Sequence, residues 1–203
     1  MATMELLLKY FLPAYLAAYF FAAFFWRSYI VWKRTGVNPL VFRGSDSAHD
    51  YIGRVFKLLF AVVVVAVATY STSENLYEYL TPIAWLERRW LQAAGATLLL
   101  TSLVWTVVAQ AQMGESWRIG IDQERRTPLV RKGVFGLSRN PIFLGMMLTL
   151  LGLFLVIPNA VTLVVLALGV VLIQIQVRLE EEFLSKTHGE AYAEYRRDVR
   201  RWL

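Results

Sequence analysis

The stretch that decides the fold is Leu58-Leu59-Phe60-Ala61-Val62-Val63-Val64-Val65, a continuous apolar segment. It forms the centre of an apolar run over about residues 55–72, close to the roughly 20 helical residues that cross a bilayer core. Further apolar runs cover about residues 6–26, 90–110, 141–157 and 160–177, and Pro158-Asn159 separates the last two. These runs predict an all-α fold, a polytopic membrane helical bundle with about five transmembrane helices.

The composition agrees with a membrane protein and excludes several kinds of site. Of the 203 residues, 57% are apolar and only 18% are charged, against about a quarter charged in an average soluble domain. The chain has no cysteine, which excludes disulfides and thiolate ligands, and its two histidines are too far apart in sequence to suggest a metal site. The net charge is +6, and the basic residues flank the apolar runs. This position indicates lipid headgroups as partners and not nucleic acid.

The distribution of Lys and Arg predicts the orientation. Six lie between Arg27 and Lys57, six between the third and fourth runs, and six in the tail, whereas the other two connections carry two and none. The positive-inside rule then places the N-terminus outside and the C-terminus in the cytoplasm. We expect an integral protein of a prokaryotic plasma membrane, with its active site facing the cytoplasm. Trp and Tyr near the span ends indicate an interfacial belt or, alternatively, part of an apolar substrate groove.

Polar residues concentrate at that cytoplasmic side, in residues 110–140 and 178–203. The spans hold almost no ionisable groups, which argues against a proton-coupled transporter or a channel. A first cluster, residues 110–121, contains Gly114 and Arg118 just after the third span. It is either a helix C-terminus capped by Gly114, with Arg118 among the headgroups, or part of a functional site.

A second cluster covers residues 133–145 and ends in Arg139-Asn140-Pro141-Ile142-Phe143-Leu144-Gly145. Asn140 is a favourable N-cap, and proline is favoured at the first helical position. The free amides of the first turn attract a carboxylate or phosphate, and Arg139 adds a formal positive charge. Gly145 permits close approach of a ligand or another backbone. The alternative is simply a well-capped membrane helix.

A third cluster, residues 178–195, begins where the last span becomes charged. Arg178 is spaced to reach Glu181 and Glu182 on a helix. The three acids, Glu180 to Glu182, have two interpretations. They form a solvated face, or they bind ribose hydroxyls or a sulfonium cation. Tyr192 and Tyr195 share one face with Val199, which predicts an interfacial amphipathic helix. The four arginines that would then face lipid phosphates are Arg196, Arg197, Arg200 and Arg201.

Together these clusters resemble a known family. The segment 139–145 resembles the Arg-His-Pro-x-Tyr-x-Gly motif of isoprenylcysteine carboxyl methyltransferases and their prokaryotic relatives. Glu180-Glu181-x-x-Leu184, then Gly189-x-x-Tyr192-x-x-Tyr195, resembles the pattern that follows it in that family. The resemblance covers roughly residues 110–203, with Asn140 in place of the family's His and Phe143 in place of its Tyr. We expect a single membrane domain over 1–203, with N-terminal spans in 1–110 and a methyltransferase-like catalytic region in 111–203.

The resemblance implies S-adenosylmethionine as the cofactor and a lipophilic acceptor from the bilayer, either a small molecule or a lipidated group. A carboxylate acceptor is favoured because it is already a nucleophile at neutral pH. Arg178, which would orient an anionic acceptor, and Glu181 are the implied catalytic residues, and no metal is expected. The implied cofactor-binding residues are Arg139, Asn140, Pro141, Phe143, Gly145, Glu180, Glu181 and Tyr192.

Three other interpretations stay open on the sequence alone. A phospholipid N-methyltransferase shares the theme of the acidic pair. A sterol-type reductase using NADPH has a related C-terminal region, and the cationic loop 118–139 would bind a nucleotide phosphate. A structural or assembly protein would keep the fold without catalysis. The cofactor preference separates them: S-adenosylmethionine, NADPH, or neither.

Overall fold

The computed structural model describes residues 2–36, 47–117 and 128–203, and within these ranges the secondary structure is helical apart from turns and one isolated β-bridge between Pro82 and Asn159. The α-helices are α1 (Ala2–Phe20), α2 (Arg27–Thr35), α3 (Ala48–Thr72), α4 (Glu74–Glu78), α5 (Arg89–Met113), α6 (Pro141–Val156), α7 (Ala160–His188) and α8 (Glu190–Asp198). Short 3-10 turns cover Ala84–Leu86, Gly114–Ser116 and Gly133–Gly136.

Four of the described helices are long and apolar enough to cross a membrane: Met4–Thr35, Ala48–Thr72, Arg89–Met113 and Ala160–His188. The fourth predicted span, α6, has 16 residues. Its length of about 24 Å is short of the ~30 Å hydrocarbon core. The all-α membrane bundle is therefore confirmed, as four full-length candidate spans and one shorter apolar helix.

The first span contains a change of helical register. A π-helical segment, Phe21–Trp26, joins α1 to α2 without a break. A π turn adds a residue to the helix and so shifts which side chains face inward. Phe25 and Trp26 are exposed, whereas the next residue, Arg27, is buried. The register change therefore turns a basic side chain inward at the end of a membrane span.

Two glycines bring α5 and α6 into backbone contact. A Cβ added at Gly95 would lie 2.8 Å from the Gly152 carbonyl oxygen, and one at Gly152 would lie 3.0 Å from the Gly95 carbonyl oxygen. Small residues permit such close packing between membrane helices. This contact fixes α6 against α5 and thereby fixes the start of α6, where the candidate site begins.

The hairpin between α6 and α7, predicted from Pro158-Asn159, is confirmed and is buried. Asn159 and Thr162 form a capping box, with the Thr162 amide 2.9 Å from the Asn159 side-chain oxygen. A loop covers the turn: the Ile83 amide donates to the Pro158 carbonyl at 2.8 Å, and the Ala160 amide donates to the Leu80 carbonyl at 3.1 Å. We call this covered turn the hairpin plug, and these backbone amides are paired although the turn is buried.

Candidate active site

Glu181 is the centre of a buried polar network at the far end of α7 from the hairpin plug. Its Oε1 atom accepts hydrogen bonds from Arg139 Nη2 at 3.0 Å and from Arg201 Nε at 3.1 Å, and its Oε2 accepts from Arg201 Nη2 at 2.8 Å. The Glu181 side chain is 8% exposed. A buried carboxylate needs such charged partners, and this pairing raises the pKa of Arg201 above its ordinary value.

Arg139 ties this network to the C-terminal tail. Its Nη1 donates to the Val199 carbonyl at 2.6 Å, and its backbone amide donates to the Arg200 carbonyl at 3.0 Å. Ser138 Oγ adds a bond of 3.2 Å to the Arg201 carbonyl. We call Ser138, Arg139, Asn140, Glu181 and Arg201 the tail clasp, because together they hold residues 199–201 against α6 and α7.

Asn140 lies at the N-cap position of α6, as predicted, but its side chain does not cap the helix. The Nδ2 atom instead donates to Glu181 Oε1 at 3.2 Å and to the Arg201 carbonyl at 3.3 Å. The predicted capping role is therefore corrected: two strong acceptors, a carboxylate and a carbonyl, draw the amide into the tail clasp. A histidine ring also carries a donor N–H. Asn140, which stands where the resembled motif has a histidine, can therefore donate a hydrogen bond as that histidine could.

The helix α8 is docked onto the protein through two buried tyrosines. Tyr195 donates from its hydroxyl to the Phe135 carbonyl at 2.6 Å, and burial raises the pKa of Tyr195 to about 12. Tyr192 is 1% exposed, and its hydroxyl forms no hydrogen bond in the described part of the chain, although it lies near Arg139. Burial, and then the charge of Glu181, raise the pKa of Tyr192. The two tyrosines share a face as predicted, but that face packs against protein.

The segment before α6 joins α5 to the tail. Gln112 Oε1 accepts from the Val134 amide at 2.8 Å, and Gly133, with φ of 66°, leaves no room for a Cβ beside Gln112. Arg131 donates to the Ala191 carbonyl, and its guanidinium lies 3.6 Å from the Glu194 carboxylate. Arg118, predicted among the headgroups or at a site, lies outside the described residues, as does the rest of the segment 118–127 of the cationic loop 118–139.

Glu180 has surroundings different from those of its neighbour. Gln176 Nε2 donates to Glu180 Oε1 at 3.0 Å, and Gln176 Oε1 lies 3.3 Å from His49 Nδ1 at the start of α3. Among the described residues, no cation forms an ion pair with Glu180. The two adjacent acids therefore differ: the oxygens of Glu181 are occupied by the tail clasp, whereas Glu180 is bound by the neutral amide of Gln176.

Arg178 does not make the predicted contacts with Glu181 and Glu182. It is exposed and donates to Gln174, at 2.6 Å to the backbone oxygen and 3.0 Å to the side-chain oxygen. Glu182 pairs with Lys186 at 2.6 Å instead. Glu181 projects into the tail clasp and is therefore not available to Arg178.

The remaining predicted residues form the wall where α6 meets α5. The Pro141 carbonyl accepts from Trp105 Nε1 at 2.8 Å, and Phe143 is half-buried. A Cβ on Gly145 would lie 2.2 Å from Thr106 Oγ1. The close approach predicted at Gly145 is therefore made by α5.

Four residues of this region were either missed in the sequence analysis or predicted there to have a different role from the one that the structure shows. Arg201 was expected to face lipid phosphates but binds Glu181, and Ser138 was not singled out. His49 was considered only as a metal ligand, and Gln176 was not considered. His49 and Gln176 are 127 residues apart, and no local spacing relates such pairs.

The fold and the site define the class of protein: a helical membrane protein with a buried polar site at one end of its bundle. A sequence model of the family described as phospholipid methyltransferase matches residues 90–191, half of the chain. The protein belongs to that family, and it is an integral membrane methyltransferase. No curated protein matches the chain.

Family membership confirms the predicted enzyme class and sets aside the reductase and scaffold interpretations. The matched segment includes α5, α6, α7 and the start of α8. It therefore holds Arg139, Asn140, Glu180 and Glu181, whereas His49 and Arg201 lie outside it. The narrower resemblance to isoprenylcysteine carboxyl methyltransferases remains a prediction.

We expect Tyr195→Phe to destabilise the protein by about 1–3 kcal/mol, because the buried Phe135 carbonyl loses its partner. Tyr192→Phe is the matched control: it removes a hydroxyl that makes no hydrogen bond in the described residues, so no partner is left unsatisfied and the destabilisation should be smaller than for Tyr195→Phe. Thermal unfolding in detergent measures both. Equal destabilisation by the two variants would contradict this assignment.

Proposed function

We propose that this enzyme transfers a methyl group from S-adenosylmethionine to the headgroup amine of a phospholipid drawn from the surrounding bilayer. Membership of the phospholipid methyltransferase family over residues 90–191 carries the proposal. A second observation favours an amine. An amine must lose a proton, and the imidazole of His49 is connected through Gln176 to the carboxylate of Glu180. The sequence alone favoured a carboxylate acceptor and left an amine acceptor open as the alternative.

The residues present fit S-adenosylmethionine, which carries a sulfonium, an ammonium, ribose hydroxyls and a carboxylate. Glu180 offers a carboxylate without a paired cation in the described chain, suited to the cationic groups or the hydroxyls. Arg139 Nε and the Tyr192 hydroxyl are buried without hydrogen-bond partners, and they suit the carboxylate. When bound, this cofactor supplies an electrophilic methyl group.

The protein's own contribution is mainly alignment, since methyl transfer depends on holding donor and acceptor in line. Glu181 acts as a positioning residue in this proposal: it holds Arg139 and Arg201, and they hold the tail over the end of α6. Asn140 and Pro141 fix the start of α6 in the same way, while Phe143 and Gly145 belong to the wall against α5. A closed tail also excludes water from the bound cofactor.

A lipophilic carboxylate is the second candidate acceptor. It is favoured by the ordered resemblance of Arg139–Gly145 and of residues 180–195 to the isoprenylcysteine carboxyl methyltransferases. Arg178, exposed on α7, would orient that anion. Methylation of a fatty acid but not of phosphatidylethanolamine would favour this candidate over the first.

The proposal includes the predicted topology, with the site facing the cytoplasm of a prokaryotic plasma membrane. Support comes from charge: Arg131, Arg139, Arg200 and Arg201 all lie at the end of the bundle where α5 ends and α6 begins. Basic residues concentrate on the cytoplasmic side of membrane proteins.

The first experiment is equilibrium binding of S-adenosylmethionine and S-adenosylhomocysteine to the protein in nanodiscs, with NADPH as the control ligand. We expect saturable binding of both adenosyl compounds, none of NADPH, and methylated lipid when phosphatidylethanolamine is present. A folded sample that binds neither adenosyl compound would refute the proposal.

A further inference from the structure

Arg27 is a buried cation in the first membrane span, and its burial is unusual for its position. Only 8% of the residue is exposed, whereas Lys33 and Arg34 on the same helix are exposed. Basic side chains near span ends normally extend outward to the headgroups. The π-helical segment Phe21–Trp26 just before Arg27 turns it inward instead.

Within the described part of the chain, the contacts of Arg27 do not include a counter-ion. Its Nη2 donates to the Gly114 carbonyl at the end of α5, and the guanidinium carbon lies 5.9 Å from the centre of the Trp117 ring. Its Nε is buried and has no hydrogen-bond partner, and no carboxylate among the described residues forms an ion pair with it. A buried charge with free donors is costly unless an anion joins it.

The position of Arg27 relates it to the candidate active site. Gly114 ends α5, and two other residues near that end contact the site region: Gln112 binds the Val134 amide and Trp105 binds the Pro141 carbonyl. Arg27 therefore lies at the end of the bundle that carries the tail clasp. It also lies outside the segment 90–191 that the family shares, so family membership assigns it no role.

We propose that Arg27 binds the phosphodiester of the phospholipid acceptor, an inference that rests on the proposed function. A guanidinium binds phosphate through paired N–H donors. The neighbouring Phe25, Trp26 and Tyr29 are exposed on the same candidate span, and this apolar surface beside Arg27 suits acyl chains. A phospholipid satisfies both the buried charge and the apolar surroundings.

The test measures binding of short-chain phosphatidylethanolamine and of the phosphate-free diacylglycerol to the wild type, Arg27→Gln, Arg27→Lys and Arg34→Gln. We expect Arg27→Gln to weaken phospholipid binding by about tenfold or more, as loss of a buried charge partner does, and to leave diacylglycerol binding unchanged. Arg27→Lys should retain part of the affinity, and Arg34→Gln, which alters an exposed arginine of the same helix, should match the wild type.

Equal phospholipid affinity in the wild type and Arg27→Gln would overturn the inference. So would equal losses in Arg27→Gln and Arg34→Gln, which would indicate general surface charge. Inorganic phosphate that displaces the lipid at comparable concentration would also overturn it, because the site would then take a free anion. Binding of S-adenosylmethionine is measured on the same samples: its absence in the wild type refutes the proposed function, whereas its retention in Arg27→Gln shows that the variant is folded.

Discussion

Replacing Glu181 with glutamine should release the C-terminal tail and destabilise the protein by about 3–5 kcal/mol, the usual cost of breaking a buried ion pair from one side. The substitution leaves Arg139 and Arg201 without the carboxylate that both of them bind. The loss of the carboxylate costs most free energy at Arg139, because its side chain is only 8% exposed. Arg201 is 32% exposed and regains water, so we expect the lower end of that range.

Glu190→Gln provides the matched control for Glu181→Gln. Glu190 also pairs with an arginine, Arg197, but both side chains are well exposed, and such surface pairs contribute about 0–1 kcal/mol. Thermal unfolding in detergent and the rate of proteolysis at residues 196–203 report the two effects. A Glu181→Gln protein with the wild-type melting temperature and a protected tail would show that the tail clasp does not hold the tail.

Replacing Glu180 with glutamine should weaken S-adenosylmethionine binding by about 10- to 100-fold, the factor expected when a charged hydrogen bond is lost. Stability should change little, because glutamine keeps the side-chain oxygen that accepts from Gln176. Isothermal titration measures the affinity, and Glu182→Gln is the control, since Glu182 is exposed and paired with Lys186.

An unchanged affinity in Glu180→Gln would remove Glu180 from the proposed cofactor site. The two single substitutions are more informative than a double one, because Glu180→Gln is expected to alter binding and Glu181→Gln to alter stability. In a double variant, loss of binding would follow from either cause.

The membrane helices could be predicted from the sequence because hydropathy and length are local properties. The run centred on residues 58–65 lies inside α3, and the continuation of the last span toward Lys186 appears as the unbroken α7. The bounds of α6 were also predicted to within one residue, because Pro141 begins the helix and the turn at Pro158 follows it, and these bounds leave 16 residues. The inward turn of Arg27 depends on a π-helical segment that no hydropathy pattern indicates.

The candidate site could be predicted in part, because Arg139, Asn140, Glu181 and Tyr192 belong to short ordered motifs that the fold brings together. Their individual roles could not, since these depend on partners that are distant in sequence. Arg201 lies 20 residues from Glu181, and the Gly114 carbonyl lies 87 residues from Arg27. Such contacts arise from the packing of helices and leave no periodic signal.

The hairpin plug has a consequence for the energetics of the membrane bundle. Backbone groups within a membrane protein are tolerated away from helices only where other groups satisfy them. Here the Ile83 amide is satisfied by Pro158 and the Ala160 amide by Leu80. The buried turn between α6 and α7 therefore leaves these two donors paired, and the chain can reverse direction there without the cost of burying unpaired amides.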